Sequence, residues 1–167
     1  MIIDSPIGPL YIEATARGLR RLEFGVRGQT PVAEDCEYAV NAEIELGTAR
    51  QLGEYFAGAR TVFDLPLDLD VEGAGFRQRA WLALASIPYG ATVTYAQLAA
   101  LAGNPAAARA AGHACATNPI ALVLPCHRVV GSDGSLHGFG GGLDMKAYLL
   151  RLEGAPIGAE RKQPVLA

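Results

Sequence analysis

Hydrophobic and polar positions follow two different periods along this 167-residue chain. Near the N-terminus, Leu10-Tyr11-Ile12-Glu13-Ala14 and Leu19-Arg20-Arg21-Leu22-Glu23-Phe24 read as strands. The stretch between them, Thr15-Ala16-Arg17-Gly18, ends in glycine as a hairpin turn does. The spacing then changes to a helical one over about 34–56, with Tyr38, Ala42, Leu46, Ala49, Leu52 and Phe56 on one predicted face. Gly47 and Gly53 weaken that helix. Alternation returns where Phe63, Leu65, Leu67 and Leu69 are interleaved with Asp64, Pro66 and Asp68, and the proline marks the segment as an edge strand. Residues 1–74 thus form a small α/β unit, an antiparallel sheet plus a helix, and the boundary falls in Val71-Glu72-Gly73-Ala74-Gly75.

From Phe76 onward the helical period dominates. Phe76, Ala80, Leu84 and Ile87 trace one face, with Trp81 on the same side, and Pro88-Tyr89-Gly90 ends the run. Thr94 and Gln97 match a capping box, which opens a helix over 95–102 that Gly103 stops. Asn104-Pro105 restarts a helix at once, asparagine as N-cap and proline as first helical residue, over Ala106–Cys115. Two short helices joined this tightly read as a helix-turn-helix. A turn at Gly131-Ser132-Asp133-Gly134, a glycine-rich loop over 136–142 and a helix over 143–153 follow, and 156–167 is a tail. The glycine-rich loop lacks the Gly-Lys-Ser/Thr ending of a P-loop and is not read as a nucleotide cradle.

Charge sharpens this division. The net charge of −3 conceals an asymmetry, because residues 1–74 hold six basic against thirteen acidic residues, and 75–155 hold six basic against three acidic. An acidic support domain joined to a polyanion-binding domain has this signature. The second helix of the pair carries alanines, a glycine and one arginine, Arg109, rather than the long polar side chains of a major-groove reader. Small side chains let such a helix lie close against a narrow surface. The three cysteines, Cys36, Cys115 and Cys126, have no paired or metal-ligand spacing, so the expectations are a reducing cytoplasmic setting and no metal. No run of eighteen apolar residues and no basic-then-apolar leader is present, so neither a membrane span nor a secretory signal is expected.

The chemistry concentrates in Asn118-Pro119-Ile120-Ala121-Leu122-Val123-Leu124-Pro125-Cys126-His127-Arg128-Val129-Val130. A thiol is a good nucleophile as thiolate, and a base or a cation nearby favours that form. His127 is the candidate base, and Arg128 adds positive charge in a direction the sequence does not give. Neighbours on a regular strand point to opposite faces, so Cys126 and His127 cooperate only in a turn, which Pro125 favours. Against this stands the ordinary reading of a lone cysteine as a small core hydrophobe.

The Pro-Cys-His-Arg-Val-Val string with its upstream Asn-Pro resembles the O6-alkylguanine-DNA alkyltransferases, suicide proteins that repair alkylated guanine. The resemblance is specific over about Phe76–Gly154 and general before it. It implies a winged-helix-like C-terminal domain that enters the minor groove of double-stranded DNA and takes a flipped base. It implies Cys126 as acceptor, His127 drawing its proton through a water, Glu153 orienting and charging that histidine, and Asn118 holding the turn. Tyr95 would donate to the flipped guanine and help neutralise it as a leaving group. Arg109 would fill the space the flipped nucleotide leaves. Asn104, Tyr95, Ala110, Gly112, His113 and Ser132 would face DNA, and Val129, Phe139, Gly140 and Gly141 would line the substrate pocket. No cofactor is implied, the protein would act as a monomer, and O4-alkylthymine is a second candidate substrate.

Two residues depart from the family pattern. Phe139 stands where many members carry a tyrosine, so a hydroxyl near the base oxygen is missing. His113 stands where something small is expected. The run Gly140-Gly141-Gly142 leaves backbone N–H donors and room for alkyl groups larger than methyl. Three other readings stay open: a cysteine hydrolase using Cys126, His127 and Glu153, a non-catalytic base-flipping lesion sensor, and a plain helix-turn-helix regulator.

Overall fold

The computed structural model describes residues 1–25, 41–69 and 75–158. The chain forms two compact units, Met1–Asp70 with Pro119–Ala121, and Val71–Asn118 with Leu122–Ala167. The first is built on a three-stranded antiparallel sheet of β1 (Ile2–Ile3), β2 (Leu10–Thr15) and β3 (Gly18–Phe24) in that spatial order. Alternation in β2 puts Leu10 and Ile12 fully inside, and in β3 Leu19 and Leu22, three residues apart, are both fully inside because the pairing shifts register opposite Glu13 and Ala14. β1, too short to show a period, is not predicted. Three residues from far along the sequence complete the unit. Ile120 bridges Leu22, with Leu22 N–H donating to Pro119 O at 2.9 Å and Ala121 N–H to Leu22 O at 2.9 Å.

α1 (Ala42–Phe56) starts where Asn41 accepts from the N–H groups of Glu43 and Ile44, and the predicted start near residue 34 lies outside the described residues. Its buried face differs from the predicted one. Ala42 and Leu46 are exposed, and Glu45, Thr48, Gln51, Leu52 and Tyr55 are buried. The polar members are tolerated because each is partnered: Glu45 by the N-terminal ammonium, Thr48 by Ile44 O, and Gln51 by the backbone N–H and C=O of Asp64. Those Gln51 bonds also explain why the alternating segment 63–69 is not the predicted edge strand. Its pairing is confined to one bridge, Leu67 to Leu19, because Asp64 is held by a side chain and Pro66 has no N–H for a ladder.

The second unit contains α2 (Phe76–Leu84), β4 (Val93–Thr94), α3 (Tyr95–Leu101), α4 (Ala108–Ala116), β5 (Val129–Val130) and α5 (Leu143–Leu152). Trp81 on α2 donates its indole N–H to Ala114 O at 2.9 Å, and Arg79 Nε donates to Ala102 O at 3.0 Å, fastening α2 to the helix pair. The predicted capping box opens α3, both of its hydrogen bonds being formed. α4 begins two residues later than predicted. Asn104 Oδ1 accepts from Ala106 N–H and Asn104 O from Ala107 N–H, so the asparagine closes a separate turn and helix starts only at Ala108. β4 and β5 pair in parallel, Val93 with Val129 and Thr94 with Val130, a contact that two-residue strands do not announce in sequence. Val130, Leu150 and Ala155 pack together and place α5 against β5. Among the described residues, no helix is long and apolar enough to cross a membrane.

Candidate active site

The segment leading to Cys126 is held by both ends. Asn118 N–H donates to Cys115 O at the end of α4, and its side-chain Nδ2 donates to Leu124 O at 2.7 Å. Between them Leu122 adopts φ 68°, a left-handed conformation that costs an L-residue about 1–2 kcal/mol. Burial of Leu122 and Leu124 holds it there. Pro125 then leads into a single 3₁₀ turn, Cys126–Arg128, in which all three side chains are buried. The turn predicted from Pro125 is therefore present.

Glu153, the C-terminal cap of α5, is the hub of the buried polar groups. Its Oε1 lies 2.8 Å from His127 Nε2 and 2.9 Å from Arg128 Nη2, and its Oε2 accepts from Arg128 Nε at 2.8 Å and from Gly90 N–H at 3.2 Å. Gly90 has φ +76°, and a Cβ there would stand 2.9 Å from Glu153 O, so the position requires glycine. Arg128 also donates to Ile87 O at 2.6 Å and lies 5.8 Å from the centre of the Tyr89 ring.

Protonation follows from this geometry. Burial alone would raise the Glu153 carboxyl, but hydrogen bonds from His127 and Arg128 bring it down to about 2. Burial lowers the His127 imidazole, against the pull of Glu153. Arg128 already neutralises the carboxylate, so the imidazole stays neutral. An ionised carboxylate only accepts, so His127 Nε2 carries the proton and Nδ1 keeps its lone pair. Among the described residues His127 Nδ1 has no hydrogen-bond partner, although it is buried. The imidazole thus presents a base.

Burial pushes the Cys126 thiol up, opposed by a hydrogen bond from the Asn118 side chain, the charge of Lys146 and two backbone N–H groups. Lys146 is 1% exposed, which for a lysine marks a held charge rather than a solvated one. Its Nζ donates to His137 O at 3.0 Å and stands 6.0 Å from the centre of the Tyr95 ring. Burial lowers its own basicity, and the Cys126 and Cys115 thiols oppose that. Burial raises Tyr95 and Cys115 each to about 12, so at neutral pH Tyr95 keeps a hydroxyl proton to donate. Sequence reasoning missed Lys146 and the direction of Arg128. A signal for the lysine exists: it sits on the stripe of α5 that carries Ala147, Leu150 and Glu153, where an apolar residue is expected.

Cys126, His127, Glu153 and Asn118 are brought together by these bonds, and Tyr95 joins them through Lys146. Arg109, Ala110 and His113 are exposed on α4, whose Ala111 and Ala114 are buried. Gly112 faces Tyr95, a Cβ there falling 3.8 Å from the ring. Asn104 and Ser132 are exposed, Val129 is buried, Phe139 is half-buried and Gly140 is exposed. At Gly141 the expected room is already used, since a Cβ would meet the Met145 thioether at 2.1 Å. Among the described residues no group of three or more His, Cys, Asp or Glu could hold a metal ion.

A buried thiol beside an imidazole, carboxylate and guanidinium chain, in one unit with a helix-turn-helix, defines a cysteine-nucleophile protein of nucleic-acid-binding architecture. Residues 75–155 match the family model described as 6-O-methylguanine DNA methyltransferase, DNA binding domain, and 1–69 match that protein's ribonuclease-like domain. A methylated-DNA–protein-cysteine methyltransferase of Methanosarcina barkeri is 45% identical over 152 residues, 91% of this chain and 94% of the relative. One from Mycolicibacterium paratuberculosis is 46% identical over 151 residues, 90% and 89% of the two chains. The crystal structure of Mycobacterium tuberculosis OGT in complex with DNA superposes with a TM-score of 0.77 at 44% identity, covering 93% of each chain. The chain belongs to the O6-alkylguanine-DNA alkyltransferase family.

Proposed function

We propose that this protein repairs DNA by irreversible transfer of an alkyl group from O6-alkylguanine to Cys126. The observation that carries the assignment of residues is the orientation of His127: its Nε2 is committed to Glu153 at 2.8 Å, which leaves Nδ1 as a base on the residue next to the thiol. The Cys126 proton passes to Nδ1, by way of a water, as sulfur attacks the alkyl carbon. The S–C bond forms and the O6–C bond breaks, its electron pair going to guanine, which Tyr95 helps neutralise by donating a hydrogen bond from its hydroxyl. Lys146, Asn118 and the backbone N–H groups stabilise the transient thiolate. The Glu153–Arg128 pair stabilises the imidazolium that forms, much as a buried acid does in a hydrolytic triad. The product is a thioether, which offers water no carbonyl to attack, so each molecule turns over once. The chemistry assigns no step to a cofactor.

DNA is the partner, and the surface of α4 supports the minor groove as the site of entry. Its exposed face carries Ala110 with Arg109 and His113, and Arg109 would occupy the place of the flipped nucleotide. Asn104, His113 and Ser132 are exposed and would face DNA, His113 as a contact to phosphate. Val129, Phe139, Gly140 and Gly141 line the pocket, with O4-alkylthymine as a second substrate. The protein acts as a cytoplasmic monomer, and 1–74 is a support domain. Titration of the protein with duplex containing one O6-methylguanine tests this reading. Lesion loss should stop at one equivalent with a mass gain of one methyl group. Continued turnover would mean a hydrolase, and binding with no mass gain a lesion sensor.

A further inference from the structure

The turn that follows α2 has no step in the transfer chemistry, yet it touches both members of the buried ion pair behind His127. Ala91 N–H donates to Pro88 O at 3.1 Å and closes it. Gly90, at φ +76°, occupies the left-handed third position that a type II turn gives to glycine. Three groups of this stretch converge on one carboxylate and one guanidinium. Gly90 N–H donates to Glu153 Oε2 at 3.2 Å, and Ile87 O accepts from Arg128 Nη1 at 2.6 Å. The third group is the Tyr89 ring, whose centre lies 5.8 Å from the Arg128 guanidinium carbon, within range of a cation–π contact.

Tyr89 has a second attachment. Its hydroxyl donates to Leu152 O at 3.2 Å, so one side chain both rests on Arg128 and holds the residue before Glu153. Burial and the Glu153 charge push that hydroxyl up, against Arg128, and the proton stays to make the bond. Three residues past Gly90, Val93 pairs with Val129, the neighbour of Arg128, so the turn and the guanidinium are also tied through the backbone. The charged groups that bear on the His127 imidazole are Glu153, which raises it, and Arg128 and Lys146, which lower it. That balance leaves the ring neutral only while Arg128 stays seated on Glu153.

We propose that Tyr89 is a positioning residue for the transfer reaction, clasping Arg128 to Glu153 and so keeping His127 available as a base. The proposal rests on the transfer reading above and adds to it a residue that acts on the thiol only through its neighbours. With the clasp loosened, the carboxylate is less neutralised and draws more strongly on the imidazolium. More of His127 is then protonated at a given pH, and the acid limb of the rate profile moves up.

The test follows Tyr89→Leu, Tyr89→Phe and Gly90→Ala in two ways. One is single-turnover methyl transfer from duplex carrying O6-methylguanine, across the pH range in which histidine titrates. The other is NMR titration of the His127 imidazole in the free protein. Tyr89→Leu should move the titration and the acid limb up together by about one pH unit, which is about tenfold in rate on that limb and little on the plateau. Tyr89→Phe keeps the ring over Arg128 and loses only the bond to Leu152 O, so its shift should be smaller, about half a pH unit. Gly90→Ala, whose Cβ would stand 2.9 Å from Glu153 O, should shift both in the same direction. A folded Tyr89→Leu protein with the wild-type His127 titration would overturn the proposal. So would a rate loss of equal size at every pH, the mark of a purely structural effect. A shifted titration together with no methyl transfer by the wild type would sink the function reading and leave the positioning role standing. Circular dichroism identifies any variant that does not fold, and Tyr89→Phe, which lacks a single oxygen atom, then decides alone.

Discussion

Among the described residues, each unit of this protein buries one carboxylate tied to arginine, and the two are put to different ends. In the first unit Asp68 is 4% exposed, accepts from Thr15 Oγ1 at 2.6 Å, and forms ion pairs with Arg17 at 2.8 Å and Arg20 at 3.8 Å. In the second, Glu153 is 6% exposed and accepts from Arg128, His127 and Gly90. The arithmetic of satisfaction is nearly the same. The difference is what lies beyond the bond. Arg17 is mostly solvent-exposed and ends in water, so Asp68 only fastens the β2–β3 turn to the segment after α1. His127 is wholly buried and its far nitrogen is free to take a proton from the adjacent thiol. A buried ion pair is structural or catalytic according to whether one partner still has chemistry left to offer.

Substitutions can break the comparison. The largest effect is expected for Arg128→Ala, which leaves Glu153 buried without its counter-ion at a cost of about 3–5 kcal/mol, read from urea unfolding. Glu153→Gln, measured on folded protein, should slow transfer about a hundredfold, the size of a lost general-base contribution. Asp68→Asn should lose about 1–2 kcal/mol of stability and leave the transfer rate unchanged. Equal rate losses in Glu153→Gln and Asp68→Asn would erase the distinction drawn between the two carboxylates. A smaller effect, about tenfold in rate, is expected for Lys146→Met, with the pH–rate profile moving to higher pH as the thiolate loses a cation.

Acid sharpens the contrast without mutation. His127 is lowered from its ordinary value near 6.5, and Glu153 from 4.5 to about 2. Both are groups with depressed folded-state values, so their contribution is present above the unfolded values and lost as pH falls through the folded ones. Melting temperature should begin to drop below about pH 6.5 and continue toward about pH 2, and Glu153→Gln should flatten the lower part of that curve. A melting temperature that stays level from pH 7 to 3 would contradict the protonation states assigned here.

What the sequence discloses follows from how local each feature is. The β2–β3 hairpin is legible because alternation and a turn glycine sit side by side. The capping box of α3 is legible because both partners lie within four residues. The buried face of α1 is not, since Glu45, Thr48 and Gln51 become acceptable inside only through distant partners, the N-terminus and Asp64 among them. The same limit applies at the site. Cys126 and His127 announce a turn through Pro125, and the string around them carries a family resemblance. That Arg128 turns toward Glu153, 25 residues away, and that Lys146 stands near the thiol are tertiary facts. The turn over 88–90 is announced by its proline and glycine, but its grip on Leu152 and Glu153, 63 residues away, is not.

Whether Cys126 receives the alkyl group is decided by locating that group after the reaction. The protein is mixed with duplex bearing one O6-methylguanine, digested, and its three cysteine-containing regions compared by tandem mass spectrometry. One methyl group is expected on Cys126 and none on Cys115 or Cys36. A methyl group on Cys115, the half-buried thiol of α4, would contradict it, and so would lesion repair with all three thiols unmodified.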